Sequence, residues 1–164
     1  MHANAKMIHL SWLLILALMV MAPMARAGDI VLLRHSEKLQ GPDPALSPLG
    51  QARAERIASR LAPLQPIAVY STDYQRTLQT AAPLAERLGV AVTVYDPTQL
   101  ASFAHSLQQS TGTVVVVGHS NTTPVLLKQL TGWERHLDED EFSDIFWLQQ
   151  QPQGYRLVEL TSDE

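Results

Sequence analysis

Two kinds of apolar pattern alternate along this chain. Short unbroken runs of branched residues mark buried strands, and apolar residues three and four apart mark helix faces. The first run is Asp29-Ile-Val-Leu-Leu-Arg34. A loop with Gly41, Pro42 and Pro44 follows, and Ser47-Pro48 then offers an N-cap and a first-turn proline. Leu49, Ala52, Ile57, Ala58 and Leu61 share one face of the helix that begins there. Ile67 to Ser71 reads as the second strand. Asp73 is expected to cap a helix with the face Leu78, Ala81, Ala82, Ala85 and Leu88, ended by Gly89. Val90 to Tyr95 is a third strand. Asp96-Pro97 opens a helix faced by Leu100, Phe103, Ala104 and Leu107. Thr113-Val-Val-Val-Val-Gly118 is the fourth strand, and Pro124 to Leu130 a short helix stopped by Gly132. Beyond an acidic run at 138–141, Ile145 to Leu148 and Tyr155 to Leu160 read as two strands turning at Pro152-Gln153-Gly154. This order implies an α/β fold. The expected form is a three-layer α/β/α sandwich with a mostly parallel sheet and an antiparallel C-terminal edge.

The segment before this pattern has a different character. Lys6 precedes an apolar run from Ile8 to Met21, broken only by His9 and Ser11, and Pro23 and Ala25-Arg26-Ala27 follow. A basic start, a short apolar stretch and an A-x-A exit are the parts of a secretory signal peptide. The expectation is a signal at 1–27, cleaved after Ala27, and a single domain at 28–164 exported to a bacterial periplasm. The apolar stretch is shorter than the roughly 20 residues a spanning helix needs, so no stable membrane insertion is expected after cleavage. A retained anchor is the alternative.

Charge and composition narrow the partners. Losing Lys6 and Arg26 leaves ten of 12 basic residues against 16 acidic ones, and takes the formal charge from −4 to −6. An acidic domain without a basic run is ill suited to nucleic acid or an anionic membrane. The absence of Cys excludes disulfides and thiolate metal sites. The run at 138–141 lacks the spaced ligands and glycine of an EF-hand loop and reads as a solvated loop.

In open α/β sheets, ligands bind beyond the carboxyl ends of the strands. Arg34-His35-Ser36-Glu37-Lys38 follows the first strand, and Ser71-Thr-Asp-Tyr-Gln-Arg76 the second. Asp96 follows the third and His119-Ser120-Asn121-Thr122 the fourth. Two His and two Arg thus leave the sheet on one edge. Guanidinium forks match phosphate oxygens and remain charged at any working pH. A neutral imidazole can attack phosphorus, and a protonated second imidazole would hold the charge that builds on the oxygens. His35, Arg34, Arg76 and His119 are therefore the candidate phosphate-binding and catalytic set. Arg76 is poorly placed for the macrodipole in a first helical turn, which adds weight to a functional role. His105 reads as solvent-facing, and His136 has no evident partner. Asn121 and Thr122 either contact substrate or cap the last helix.

These blocks resemble the histidine phosphatase superfamily, which includes the cofactor-dependent phosphoglycerate mutases, and the expectation is a small exported branch of it. Leu33-Arg34-His35 is similar to the family signature, and Tyr70-Ser-Thr-Asp-Tyr-Gln-Arg76-Thr-Leu-Gln-Thr-Ala81 to its second block. Val117-Gly-His119-Ser-Asn121 is similar to the block with the second His. The resemblance implies a phosphohistidine on His35, a pocket completed by Arg34, Arg76 and His119, no metal and no cofactor. The usual Arg-His-Gly is Arg-His-Ser here, so Ser36 either tolerates the turn or adds a hydroxyl to the phosphate.

An alcohol leaving group needs a proton, and many members of the family place a carboxyl after the third strand. Asp96 is the first candidate for that general acid, Glu37 the second and Asp43 the third. The expected function is an exported phosphomonoester hydrolase acting on a small phosphorylated substrate or a phosphorylated protein. The alternatives are a phosphate-ester binding protein that has lost turnover, and a phosphohistidine phosphatase without a carboxyl acid.

Overall fold

The computed structural model describes residues 27–163. The signal segment expected at 1–27 lies outside the described residues except for Ala27. Six strands form one sheet: β1 (Ile30–Arg34), β2 (Ala68–Ser71), β3 (Val92–Val94), β4 (Val114–Gly118), β5 (Asp144–Gln151) and β6 (Gly154–Thr161). Their order is β3-β2-β4-β1-β5-β6. The β2–β3, β2–β4 and β1–β4 pairs are parallel, while β1–β5 and β5–β6 are antiparallel. The expected sandwich with its antiparallel edge is therefore present. β3 is shorter than expected, and its half-exposed Val94 befits an edge strand.

Strand alternation sends β1 and β4 residues to both faces. Ile30, Leu32, Val114 and Val116 pack with Phe146 and Leu148 beneath α3 (Leu100–Gln108) and α4 (Thr123–Thr131). Val31, Leu33, Val115 and Val117 pack on the other face under α1 (Pro48–Leu61) and α2 (Gln75–Leu88). Every residue of β1 and β4 is buried, as central parallel strands covered by helices on both sides must be.

Two caps follow different routes. Ser47 caps α1 as expected, its Oγ accepting from Gly50 N at 3.1 Å. Asp73 does not cap α2. The N-cap there is Tyr74, without a side-chain cap bond, and the carboxylate of Asp43 reaches in from the preceding loop to accept from Gln75 N at 3.0 Å. The helix dipole prefers an anion at that end whichever segment supplies it.

Candidate active site

The carboxyl ends of β1, β2 and β4 bring Arg34, His35, Arg76 and His119 around one cleft of about 440 Å³. Lys38, Tyr74, Pro97, Ser120, Asn121, Thr122 and Glu139 complete its lining. His35 continues β1, its N–H donating to Gly118 O at 3.0 Å across the sheet. The His35 and His119 rings lie 5.5 Å apart, edge to face.

Hydrogen bonds define the tautomer of each imidazole. His35 Nδ1 is 2.8 Å from the carbonyl of Ser36. A carbonyl only accepts, so Nδ1 carries the proton and Nε2 keeps its lone pair. His119 Nδ1 lies 3.3 Å from Arg76 Nη2, a group that only donates, so its proton sits on Nε2. That Nε2 donates to Thr72 Oγ1 at 2.8 Å, and Thr72 bonds to Thr77 Oγ1 at 2.9 Å. Thr77 ends the chain on the carbonyls of Thr72 and Tyr74.

Burial keeps both rings neutral. It pushes His35 down to about 3, aided by Arg34, His119 and Arg76 and opposed by the Ser36 carbonyl. His119 is pushed down to about 4 by burial, then by Arg76 and Arg34. Burial first, and then the two guanidiniums, favour the neutral form of the second imidazole.

The arginines are held differently. Arg34 is almost wholly buried. Its Nη1 donates to the carbonyls of Asp138 at 2.8 Å and Glu141 at 3.1 Å, and its Nη2 lies 3.3 Å from Glu139 Oε2. The Phe142 ring sits 4.3 Å from its guanidinium carbon. The acidic run at 138–141 is thus more than a solvated loop, since its backbone wraps the first arginine. Arg76, the second residue of α2, lies over the Tyr74 ring at 4.5 Å, with Asp43 3.7 Å from its Nη1. The Nε of both arginines is buried without an acceptor among the described residues. Buried donors of this kind fit an oxyanion.

The threonines of the second block organise the backbone. Thr80 Oγ1 donates to Arg76 O and accepts from Ser36 N at 3.0 Å, tying the turn after His35 to α2. Ser36 itself is fully buried, its hydroxyl has no partner among the described residues, and it does not line the cleft. Thr122 lines the cleft and turns its Oγ1 back to accept from His119 N at 2.9 Å. Gly118 leaves room for this, since a Cβ there would meet the hydroxyl oxygens of Thr122, Thr123 and Tyr95 at 2.8–2.9 Å.

None of the three carboxyls expected as acids lines the cleft, although Asp43 borders it through Arg76. Asp96 is fully exposed and lines a separate hollow with Tyr70 and Phe103. Its Oδ1 accepts from Thr98 N and Oγ1, and these bonds hold its carboxyl below the usual range. Asp-Pro here makes an Asx turn, and α3 starts only at Leu100. Glu37 is clamped by Arg53 at 2.7–3.0 Å. Burial raises its carboxyl, but the Arg53 bonds prevail and hold it down. Asp43 caps α2. The residues that pattern reading missed are Thr72 and Glu139, neither of which has a local signature. His105 is exposed as expected, and His136 pairs with Asp138 at 3.2 Å.

Comparison with known proteins agrees with this geometry. The model of the histidine phosphatase superfamily (branch 1) matches residues 30–100, which hold Arg34, His35 and Arg76. Glucosyl-3-phosphoglycerate phosphatase of Mycobacterium tuberculosis (strain ATCC 25618 / H37Rv) is 38% identical over 77 residues, 42% of this chain and 34% of that protein. The chain therefore spans about a third of the length of that curated relative. The protein histidine phosphatase SixA complexed with tungstate superposes with a TM-score of 0.67 at 14% identity, covering 82% of this chain and 97% of that one. The mycobacterial glucosyl-3-phosphoglycerate phosphatase superposes at 0.63 and 18% identity, covering 83% and 98%. At these identities the structures establish the shared fold. Residues 30–100 thus match the histidine phosphatase superfamily (branch 1), and the described residues share the fold of the solved phosphatases above.

Proposed function

We propose that this chain is an exported phosphomonoester hydrolase that carries the phosphoryl group on His35. One observation carries the reading. A buried imidazole with its Nε2 lone pair available lines a cleft with two guanidiniums and a second neutral imidazole. In the first step Nε2 attacks phosphorus and the ester P–O bond breaks. The leaving oxygen takes a proton, and water then hydrolyses the P–N bond. Arg34 and Arg76 balance the charge of the phosphoryl oxygens, and His119 offers an imidazole beside them. The substrate is a small phosphomonoester or a phosphorylated protein. Export rests on the pattern of residues 1–27.

A second reading has a specific observation behind it. Asp96, Glu37 and Asp43 all lie off the cleft lining. A phosphohistidine substrate, whose nitrogen leaves more easily, would place less demand on a carboxyl acid.

Brief exposure to labelled p-nitrophenyl phosphate should leave acid-labile label on the wild type and none on His35→Ala. Wild-type turnover by His35→Ala would overturn the reading, and phosphate binding without label would favour a binding protein. Export predicts a mature N-terminus at Gly28 in the periplasmic fraction. Protein retained in the cytoplasm with Met1 intact would refute that part.

A further inference from the structure

We infer that Glu139 is the general acid of this site, and that its reaction therefore includes alkyl phosphomonoesters. The inference rests on the proposed phosphohistidine chemistry and adds to it the residue that protonates the leaving group. Glu139 is the only carboxylate among the described residues that line the cleft. The backbone around it is anchored, and its head group reaches the cleft. Arg34 Nη1 binds the carbonyls on either side of it, at Asp138 and Glu141, and Asp138 N donates to Glu141 Oε2. The Glu139 side chain is nonetheless 87% exposed, with Oε2 at Arg34 and Oε1 accepting from Ser120 Oγ at 3.1 Å.

Depth in the cleft gives this carboxylate its role. His35 is 3% exposed and lies at the floor, whereas Glu139 stands at the rim. In-line attack from the floor expels the leaving oxygen toward the rim. There Glu139 is the carboxylate placed to deliver a proton to the leaving oxygen.

Substrate binding also prepares the acid. A phosphoryl dianion that takes Arg34 Nη2 displaces the carboxylate from its cation and leaves it beside negative charge. Loss of a cation and approach of an anion both favour a protonated carboxyl. As the P–O bond breaks, the Glu139 proton passes to the alkoxide and the alcohol departs. The carboxylate then takes a proton from the water that attacks the P–N bond. Inorganic phosphate leaves, and both His35 Nε2 and the acid return to their starting forms.

Two measurements on Glu139→Gln test this. p-Nitrophenolate needs little protonation to leave, while the alkoxide of glycerol phosphate needs it fully. The ratio of kcat/KM for glycerol phosphate to that for p-nitrophenyl phosphate should fall on the order of 10²–10⁴-fold in the variant. Inorganic phosphate should bind more tightly, because the competitor for Arg34 is neutral. An unchanged ratio overturns the inference even if phosphate binds more tightly, since Glu139 would then only occlude Arg34. A wild type that forms no phosphohistidine and hydrolyses neither ester defeats the underlying function instead. Glu139→Asp, which keeps the carboxyl, should recover part of the ratio.

Discussion

Thr72→Val isolates the hydroxyl that holds His119. Thr72 is completely buried, and valine matches its shape, so the change removes one polar atom and little volume. Thr77 keeps its bonds to the carbonyls of Thr72 and Tyr74, so the loss falls on His119 Nε2. The ring has two responses. It can keep its proton on Nε2 and leave a buried donor unmet, or move the proton to Nδ1 and face the donor of Arg76 at 3.3 Å. Either costs about 1–3 kcal/mol. For a domain of this size that lowers Tm by about 3–10 °C. Thermal unfolding measures the cost, and ¹⁵N imidazole shifts report the tautomer. Thr72→Ser keeps the hydroxyl and should keep the wild-type tautomer. An unchanged Tm together with unchanged His119 shifts in Thr72→Val would show that the threonine relay does not set the ring.

Three further outcomes follow from the same geometry. Asp96→Asn should leave glycerol phosphate turnover within about twofold of wild type, because this exposed carboxylate is bound to Thr98 beside a different hollow; a large loss would return Asp96 to the chemistry. Stability should fall as the pH drops from about 6.5 toward 4, since unfolded imidazoles take protons that His119, at about 4, and His35, at about 3, refuse in the fold. Urea titrations at pH 7.5 and 5 measure that loss, and the double variant His35→Ala/His119→Ala should flatten it. Gly50→Ala would set a Cβ 2.0 Å from the Glu37 carbonyl oxygen, which forces α1 off the turn after His35 and should cost about 1–3 kcal/mol or more in unfolding experiments.

How much could be read from the sequence depended on whether a feature was local. The strand runs around Val31 and Val115 declare themselves by composition, and with them the edge on which Arg34, His35, Arg76 and His119 emerge. Capping was less transparent. Asp96-Pro97 has the same letters whether it starts a helix or makes an Asx turn, and only the backbone after Thr98 separates the two. Asp43 caps a helix 32 residues further on, a relation with no spacing rule. Glu139 sat within an acidic run whose composition suggested solvent. Its place in the cleft follows from Arg34 binding carbonyls more than 100 residues away, which no local pattern encodes.

That last link bears on the order in which the molecule is made. β1 lies inside the sheet, but one of its two neighbours, β5, is more than 100 residues later in the chain. Until residues 138–141 emerge Arg34 lacks the carbonyls of Asp138 and Glu141, and until β5 follows β1 keeps a bare edge. Contacts of such high sequence separation form late and slowly. The nucleophile and its first arginine therefore acquire their working geometry only after the segment from Asp138 through β5 has been made. A ribosome-bound fragment ending before Asp138 should therefore bind phosphate poorly.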